Sequence, residues 1–257
     1  MQESFTTPKF ARNVNVEFNK TLNERVSAYF SQRNISKHAN INMVLKTVFM
    51  LALYFVPFAF TFYTDSIWLT LLLWFVAGLG MAGIGLSVMH DANHGAYSSN
   101  QNVNKFVGAV LNLLGGNPTN WKIQHNVLHH TFTNVEGFDE DIDAPVKLLR
   151  FSPHTAWRPV HKYQYLYAWF FYPLMTIMWF ATKDYKQAIR YGKKGLVTSQ
   201  GKSAASHWTS IISGKIVYAS IFLALPLLFA PVSWPIVLIG FVIKQFVSGT
   251  ILALIFQ

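Results

Sequence analysis

Five of the nine histidines in this 257-residue chain fall into two short clusters, His90-Asp-Ala-Asn-His94 and His125-Asn-Val-Leu-His129-His130. His90 and His94 are four apart, so on a helix their imidazoles share one face. His125 and His129 repeat that interval, and His130 adds a ring beside them. Imidazole is the commonest protein ligand for zinc, copper and iron, and five rings exceed what one tetrahedral zinc takes. The pattern predicts two imidazole-rich half-shells meeting around more than one metal ion. A lone histidine on an apolar helix is more often packed or superficial, but this clustering is far from a random scatter. The remaining four are dispersed. His38 and His207, each just before an apolar run, are assigned to the membrane surface, and His154 and His161 to the interface.

The elements that must position these clusters are apolar. Hydrophobic residues make up 52% of the chain and charged ones only 12%. Runs at 43–63, 67–89, 211–230 and 234–256 are each long enough to cross a bilayer. They predict an all-α integral membrane protein with four spanning helices in two hairpins, plus interfacial helices. A net charge of +10 would suggest nucleic acid in a soluble protein. Here the basic residues flank the spans, which is the positive-inside pattern, and no nucleic-acid partner is expected. Without a single cysteine, thiolate metal sites, disulfides and iron–sulfur ligation are excluded. The N-terminus lacks an apolar stretch ending in a small-residue cleavage site, so no cleaved signal is expected.

Residues 1–42 form a polar, basic leader containing Lys9, Arg12, Lys20, Arg25, Arg33 and Lys37. Phe18, Leu22, Val26 and Phe30 recur every fourth position, which predicts a helix with a narrow apolar stripe suited to the bilayer surface. The rest, 43–257, reads as one membrane domain. The basic leader and the Thr64-Asp65-Ser66 turn, which has no Lys or Arg, place the N-terminus and both histidine clusters on the cytoplasmic side. Residues 106–116 are too short to span, and Gly115-Gly116-Asn117-Pro118 breaks them before the second cluster. The acidic stretch Asp139-Glu140-Asp141-Ile-Asp143 has two readings, carboxylates orienting the metal imidazoles or a solvated loop. Asp91 carries the same ambiguity. Residues 163–182 are followed by a dense basic run and contain Pro173, which predicts an interfacial or half-membrane hairpin. Lys215 is expected to snorkel toward the cytoplasmic end of its span. Lys244 and Gln245, halfway along the last span, read either as a polar contact inside the bundle or as a lysine reaching out along its stem.

HDANHG at 90–95 followed by HNVLHHTFTN at 125–134 resembles the first two histidine boxes of the membrane fatty acid desaturases, in wording closest to the bacterial acyl-CoA or acyl-lipid branch that includes linoleoyl-CoA-type enzymes. The resemblance implies that His90, His94, His125, His129 and His130 ligate a pair of irons, with O2 as co-substrate. It also implies a bacterial inner membrane location, an acyl-CoA or acyl-lipid substrate, and a separate electron carrier of ferredoxin or cytochrome b5 type, since no His-Pro-Gly-Gly signature is present. Removing hydrogens from an unactivated alkyl chain is beyond general acid–base groups and needs a redox metal. The Glu and Glu-x-x-His pattern of soluble di-iron carboxylate bundles is absent. Family members carry a third box and a further histidine after the last span, so the chain reads as the N-terminal portion of a desaturase, inactive alone. A di-iron lipid hydroxylase, a membrane zinc hydrolase, a membrane haem protein and a non-catalytic remnant remain open on the residues themselves.

Overall fold

The computed structural model describes residues 7–10, 15–143 and 147–256, which are mostly helical with no strand among them. Arg12 of the leader and the terminal Gln257 lie outside the described residues. Four helices are long and apolar enough to cross a membrane. They are α2 (Ile41–Phe60), α3 (Ile67–Asn93), α8 (Ala204–Phe229) and α9 (Trp234–Phe256). Before them stands α1 (Val16–Gln32), none of whose residues is buried; Phe18, Leu22 and Val26 of the expected stripe are all exposed.

The helix starts are written in side chains. The Asn40 carboxamide accepts from the Met43 amide at 3.0 Å, Ser66 from Leu69 at 3.4 Å and Ser203 from Ser206 at 3.1 Å, each answering an amide that the first turn leaves unpaired. The α8 cap at Ser203 explains why that span begins seven residues before the apolar run at 211. α2 and α3 pack so closely that a Cβ on Gly80 would lie 2.4 Å from the Tyr54 amide nitrogen. Such contacts suit helices in lipid, where small residues let backbones meet. The opposite faces of α2 and α3 expose Leu45, Val48, Phe49, Trp68 and Leu72, a surface matched to acyl chains rather than water.

Between the spans lie the elements that carry the chemistry. α4 (Gln101–Gly108) continues into a 3-10 segment, Ala109–Leu114, which ends at Gly115 with φ of 89°. α5 (Pro118–Lys122) follows, capped by Asn117 with Pro118 at its first position, where the missing amide costs nothing. α6 (Gln164–Phe171) and α7 (Asp184–Lys193) complete the set.

The hairpin expected at 163–182 is not formed. α6 passes through a 3-10 turn at Tyr172–Leu174, a short helix at Met175–Met178 and a π turn at Trp179–Lys183 straight into α7. The 3-10 turn absorbs Pro173, which has no amide to donate. The run is held along α9, where Thr176 Oγ1 donates to the Gln245 carbonyl at 3.0 Å and a Cβ on Gly249 would lie 2.2 Å from the Pro173 oxygen.

Two lysines resolve differently from a snorkelling stem. Lys215 turns inward, because two backbone carbonyls and the Asp184 carboxylate wait there. Lys244 is fully buried and takes the bundle-contact reading. Its Nζ donates to the Tyr218 hydroxyl at 3.1 Å and lies 4.0 Å from the Phe222 ring centroid and 4.8 Å from that of Phe241. Trp74 and Tyr54 close the cage at 5.4 and 5.7 Å. Desolvated cation–π contacts of this kind offset part of the burial cost, about 2 kcal/mol for a good one. His207 is buried rather than superficial, with Nε2 2.9 Å from Asn120 Oδ1. His38 remains near the surface, bonded to the Ala96 carbonyl at 3.1 Å.

Candidate metal centre

Each histidine cluster sits on or directly after a π turn. In α3 the turn is Ile84–Val88, followed by a last helical stretch, Met89–Asn93, with His94 as its C-cap. After α5 it is Ile123–His129. A π turn brings together residues five apart, not four. The second cluster therefore lies on a π turn rather than the expected α-helix: His125 and His129 still share a face, and in addition His125 and His130 meet, Nε2 to Nε2, at 3.2 Å. His129 stacks on His125 with ring centroids 5.3 Å apart and planes 13° from parallel. Gly95, with φ of 75°, turns the chain away after the first cluster.

All five imidazoles converge. His90 lies 4.5 Å from His94 and 5.2 Å from His125, centroid to centroid, while His94 is 5.0 Å from both His125 and His130. Two sets of potential ligand atoms, each with members within 4.8 Å of one another, share His125: His90/His94/His125 and His125/His129/Asp141. Nitrogens bound at about 2.1 Å to one ion can be no more than about 4.2 Å apart, so each set closes on an ion with small rotations. Asp141 was absent from the sequence-derived set. His154 and His161 stay out of both groups. His161 instead caps its own turn, accepting from the Arg158 amide at 3.1 Å.

The surrounding charges suit metal binding. Burial, then the neighbouring imidazoles, push His94 down to about 4 and His125 down to about 3, so both are neutral at pH 7, the form that ligates. Of the acidic stretch, Asp139 and Asp141 reach the imidazoles, both at His129. Asp139, fully buried, sets both oxygens 3.1 Å from His129 Nδ1 and accepts from the Asn134 amide at 2.8 Å and the Asp141 amide at 3.0 Å. That contact holds the proton on Nδ1 and leaves Nε2 with a lone pair. Glu140 faces the other way, accepting from Gln187 at 2.9 Å and Tyr191 at 2.8 Å and pairing with Arg190 at 2.6 Å, which ties the loop to α7. Asp91 lies 3.3 Å from His90 Nδ1. The two clusters are joined directly where Asn126 Nδ2 donates to the Asn93 carbonyl at 3.0 Å.

Under the rings lies Trp121, with its centroid 4.5 Å from His125, 5.5 Å from His94 and 5.6 Å from His90. Its position four before His125 was a signal available in the sequence. A crevice below it is walled by Leu111, Gly116, Trp179, Asp184 and Gln187. Neutral nitrogens, one adjacent carboxylate and carboxylate-braced rings form a donor set that fits first-row transition metals and contains no sulfur.

A family model described as fatty acid desaturase matches residues 66–257. The chain belongs to the fatty acid desaturase family. It is 41% identical over 177 residues to the sn-1 linoleoyl-lipid 6-desaturase of Arthrospira platensis, covering 68% of this chain and 47% of that protein. The Synechocystis protein of the same name is 30% identical, over 93% of this chain and 66% of the relative. An acyl-lipid (8-3)-desaturase of Physcomitrium patens is also 30% identical, over 98% and 52%. The chain thus spans about half the length of the curated relatives it matches. No solved structure matches it.

Proposed function

We propose that the full protein is an acyl-lipid desaturase: it takes two hydrogens from adjacent carbons of a lipid-bound acyl chain, and with O2, two electrons and two protons yields the alkene and two waters. The observation that carries this reading is the convergence of His90, His94, His125, His129 and His130 from two segments onto one spot at the end of a spanning helix. These five would hold a pair of irons, with the remaining ligands supplied, as the family pattern implies, by a third histidine box. The iron pair supplies the oxygen activation that no side chain here can provide.

The chain's own residues do the rest. Burial keeps His94 and His125 neutral and ready to bind a cation. Asp139 orients His129 and Asp91 stands beside His90. Trp121 and Leu111 stand under the rings and line a small crevice whose other walls include Gln124, Asp184 and Gln187. Relatives named for lipid-linked substrates favour a membrane lipid over an acyl-CoA. Electrons would come from a separate ferredoxin- or cytochrome b5-type carrier. The leader, 1–42, would lie on the cytoplasmic surface with both clusters on that side, and 163–182 within the interface, an arrangement supported by the basic residues around them and by the exposed stripe of α1.

The test is metal analysis and lipid profiling of the full-length protein. Bound iron in pairs and unsaturated lipid product are expected, and His94→Ala and His129→Ala should abolish product while leaving membrane insertion intact. A single zinc overturns the reading in favour of a hydrolase, an oxygenated product in favour of a hydroxylase, and normal product from either variant sinks the ligand assignment.

A further inference from the structure

Lys215 lies eleven residues into the α8 span, yet its ammonium is enclosed. An ammonium has three protons to donate, and all three are taken. They go to the Gly115 carbonyl at 2.5 Å, the Trp179 carbonyl at 2.7 Å and Asp184 Oδ2. Those acceptors come from separate places: the left-handed residue that ends the 3-10 segment, the start of the π turn before α7, and the first residue of α7. Trp179 and Asp184, together with Gly116 beside Gly115, are walls of the crevice under the histidines.

The network continues toward the rings. The Asn120 amide group donates to Asp184 Oδ1 at 3.0 Å and to the Asp184 carbonyl at 2.9 Å. With its nitrogen so committed, Asn120 Oδ1 must accept from His207 Nε2 at 2.9 Å, which fixes that imidazole's tautomer. Asn120 precedes Trp121 on α5, and α5 runs without a break into the π turn that carries His125 and His129. Ile123 and Leu128 just beyond it pack against Tyr191, Leu196 and Val197, but apolar packing is non-directional, and the Asn120 bonds to Asp184 add a fixed register. A buried ion pair is poor value as a stabiliser, since an apolar pair of similar volume often does as well, but it imposes one geometry.

We propose that Lys215 is a positioning residue of the histidine centre: through Asp184 and Asn120 it fixes the height of the helix bearing Trp121 and His125, and by drawing Gly115 and Trp179 together it sets the width of the crevice beneath them. This rests on the reading of the five histidines as a metal centre.

The experiment uses the full-length protein in detergent, loaded with cobalt(II), whose visible absorption reports ligand arrangement. Lys215→Met alone leaves Asp184 buried and unpaired, and abundance should fall severalfold. Lys215→Met/Asp184→Asn leaves no unpaired charge and should recover abundance to within about twofold of the parent. Its cobalt bands should nonetheless shift, and its lipid product should fall by about tenfold or more, because a misplacement of about 1 Å is enough for a hundredfold loss. Asn120→Ala keeps the ion pair but cuts its link to α5, and should show the same spectral shift even if the double variant does not accumulate. Parent-like bands in Asn120→Ala, or parent-like bands and product in the double variant, overturn the proposal and leave the metal reading standing. A parent protein that binds no cobalt or iron overturns the metal reading, and this one with it.

Discussion

The two histidine clusters present the same residue at the same interval, yet they are supported by different physics. The first ends a spanning helix whose inner face is apolar: Met81, Ile84, Val88 and Met89 are all buried, and Gly80 lets α3 touch α2 backbone to backbone. The second stands on a short helix outside the spans; Ile123 and Leu128 of its π turn pack with Tyr191, Leu196 and Val197, and polar contacts add direction, Asp139 and Asp141 on His129 and the Asn120–Asp184–Lys215 chain on α5. Packing is non-directional and tolerates sliding, so the first cluster depends on close steric fit. Hydrogen bonds are directional, so the second depends on partners being present at all. A metal centre built across both inherits the weakness of each.

Four changes test that contrast. The largest effect is expected at His125, the residue common to both sets of ligand atoms. His125→Ala should reduce bound metal to a trace in elemental analysis of the purified protein, whereas retention of half the parent's metal would place the centre elsewhere. Next comes Asp139→Asn, which keeps the shape but loses the charge behind His129. Metal affinity should fall about 10- to 100-fold in a chelator competition, and an unchanged affinity would reduce the acidic loop to solvated surface.

Gly80→Ala attacks the other support. The added methyl cannot fit 2.4 Å from the Tyr54 nitrogen, so α2 and α3 must part. A loss of about 1–3 kcal/mol in stability is expected, read as a lower unfolding temperature in detergent, with metal per folded molecule unchanged. Metal loss at full stability would mean that packing and ligation are not separable here.

The smallest effect is in acid. In the metal-free protein His94 and His125 titrate at about 4 and about 3 when folded, against 6.5 when unfolded. Above 6.5 neither state holds the extra protons and stability gains nothing. Below it the unfolded chain binds protons that the folded one refuses, so stability falls with pH until about 4 and then 3. The unfolding temperature should drop between pH 7 and pH 5, less so in His94→Gln; identical slopes for parent and variant would remove the burial argument.

Much of this was legible in the sequence. The four spans show as apolar length, and the five histidines stand out by type and spacing. What could not be read were features that depend on distant partners or on backbone register. Nothing in the residues of 123–129 announces a π turn, so His130 was an added ring rather than the direct neighbour of His125. Lys215 has the stem to snorkel, and only Asp184, 31 positions away, turns it inward. Asp139 and Glu140 are chemically alike and adjacent, yet one grips His129 and the other α7, a distinction made by the loop's fold and not by its composition. Pro173 suggested a reversal because a proline amide is missing, but a single 3-10 turn was enough to absorb it.

The cage around Lys244 also bears on how the protein is made. A lysine at the middle of a span costs about 2.5–3.5 kcal/mol on entering the bilayer by itself. Synthesis runs from the N-terminus, so Tyr54, Trp74, Tyr218 and Phe222, which surround its ammonium in the fold, are all made before Lys244. In the finished bundle Lys244 finds its hydroxyl and ring partners only with the three earlier spans beside it, so the last helix depends on them for its place.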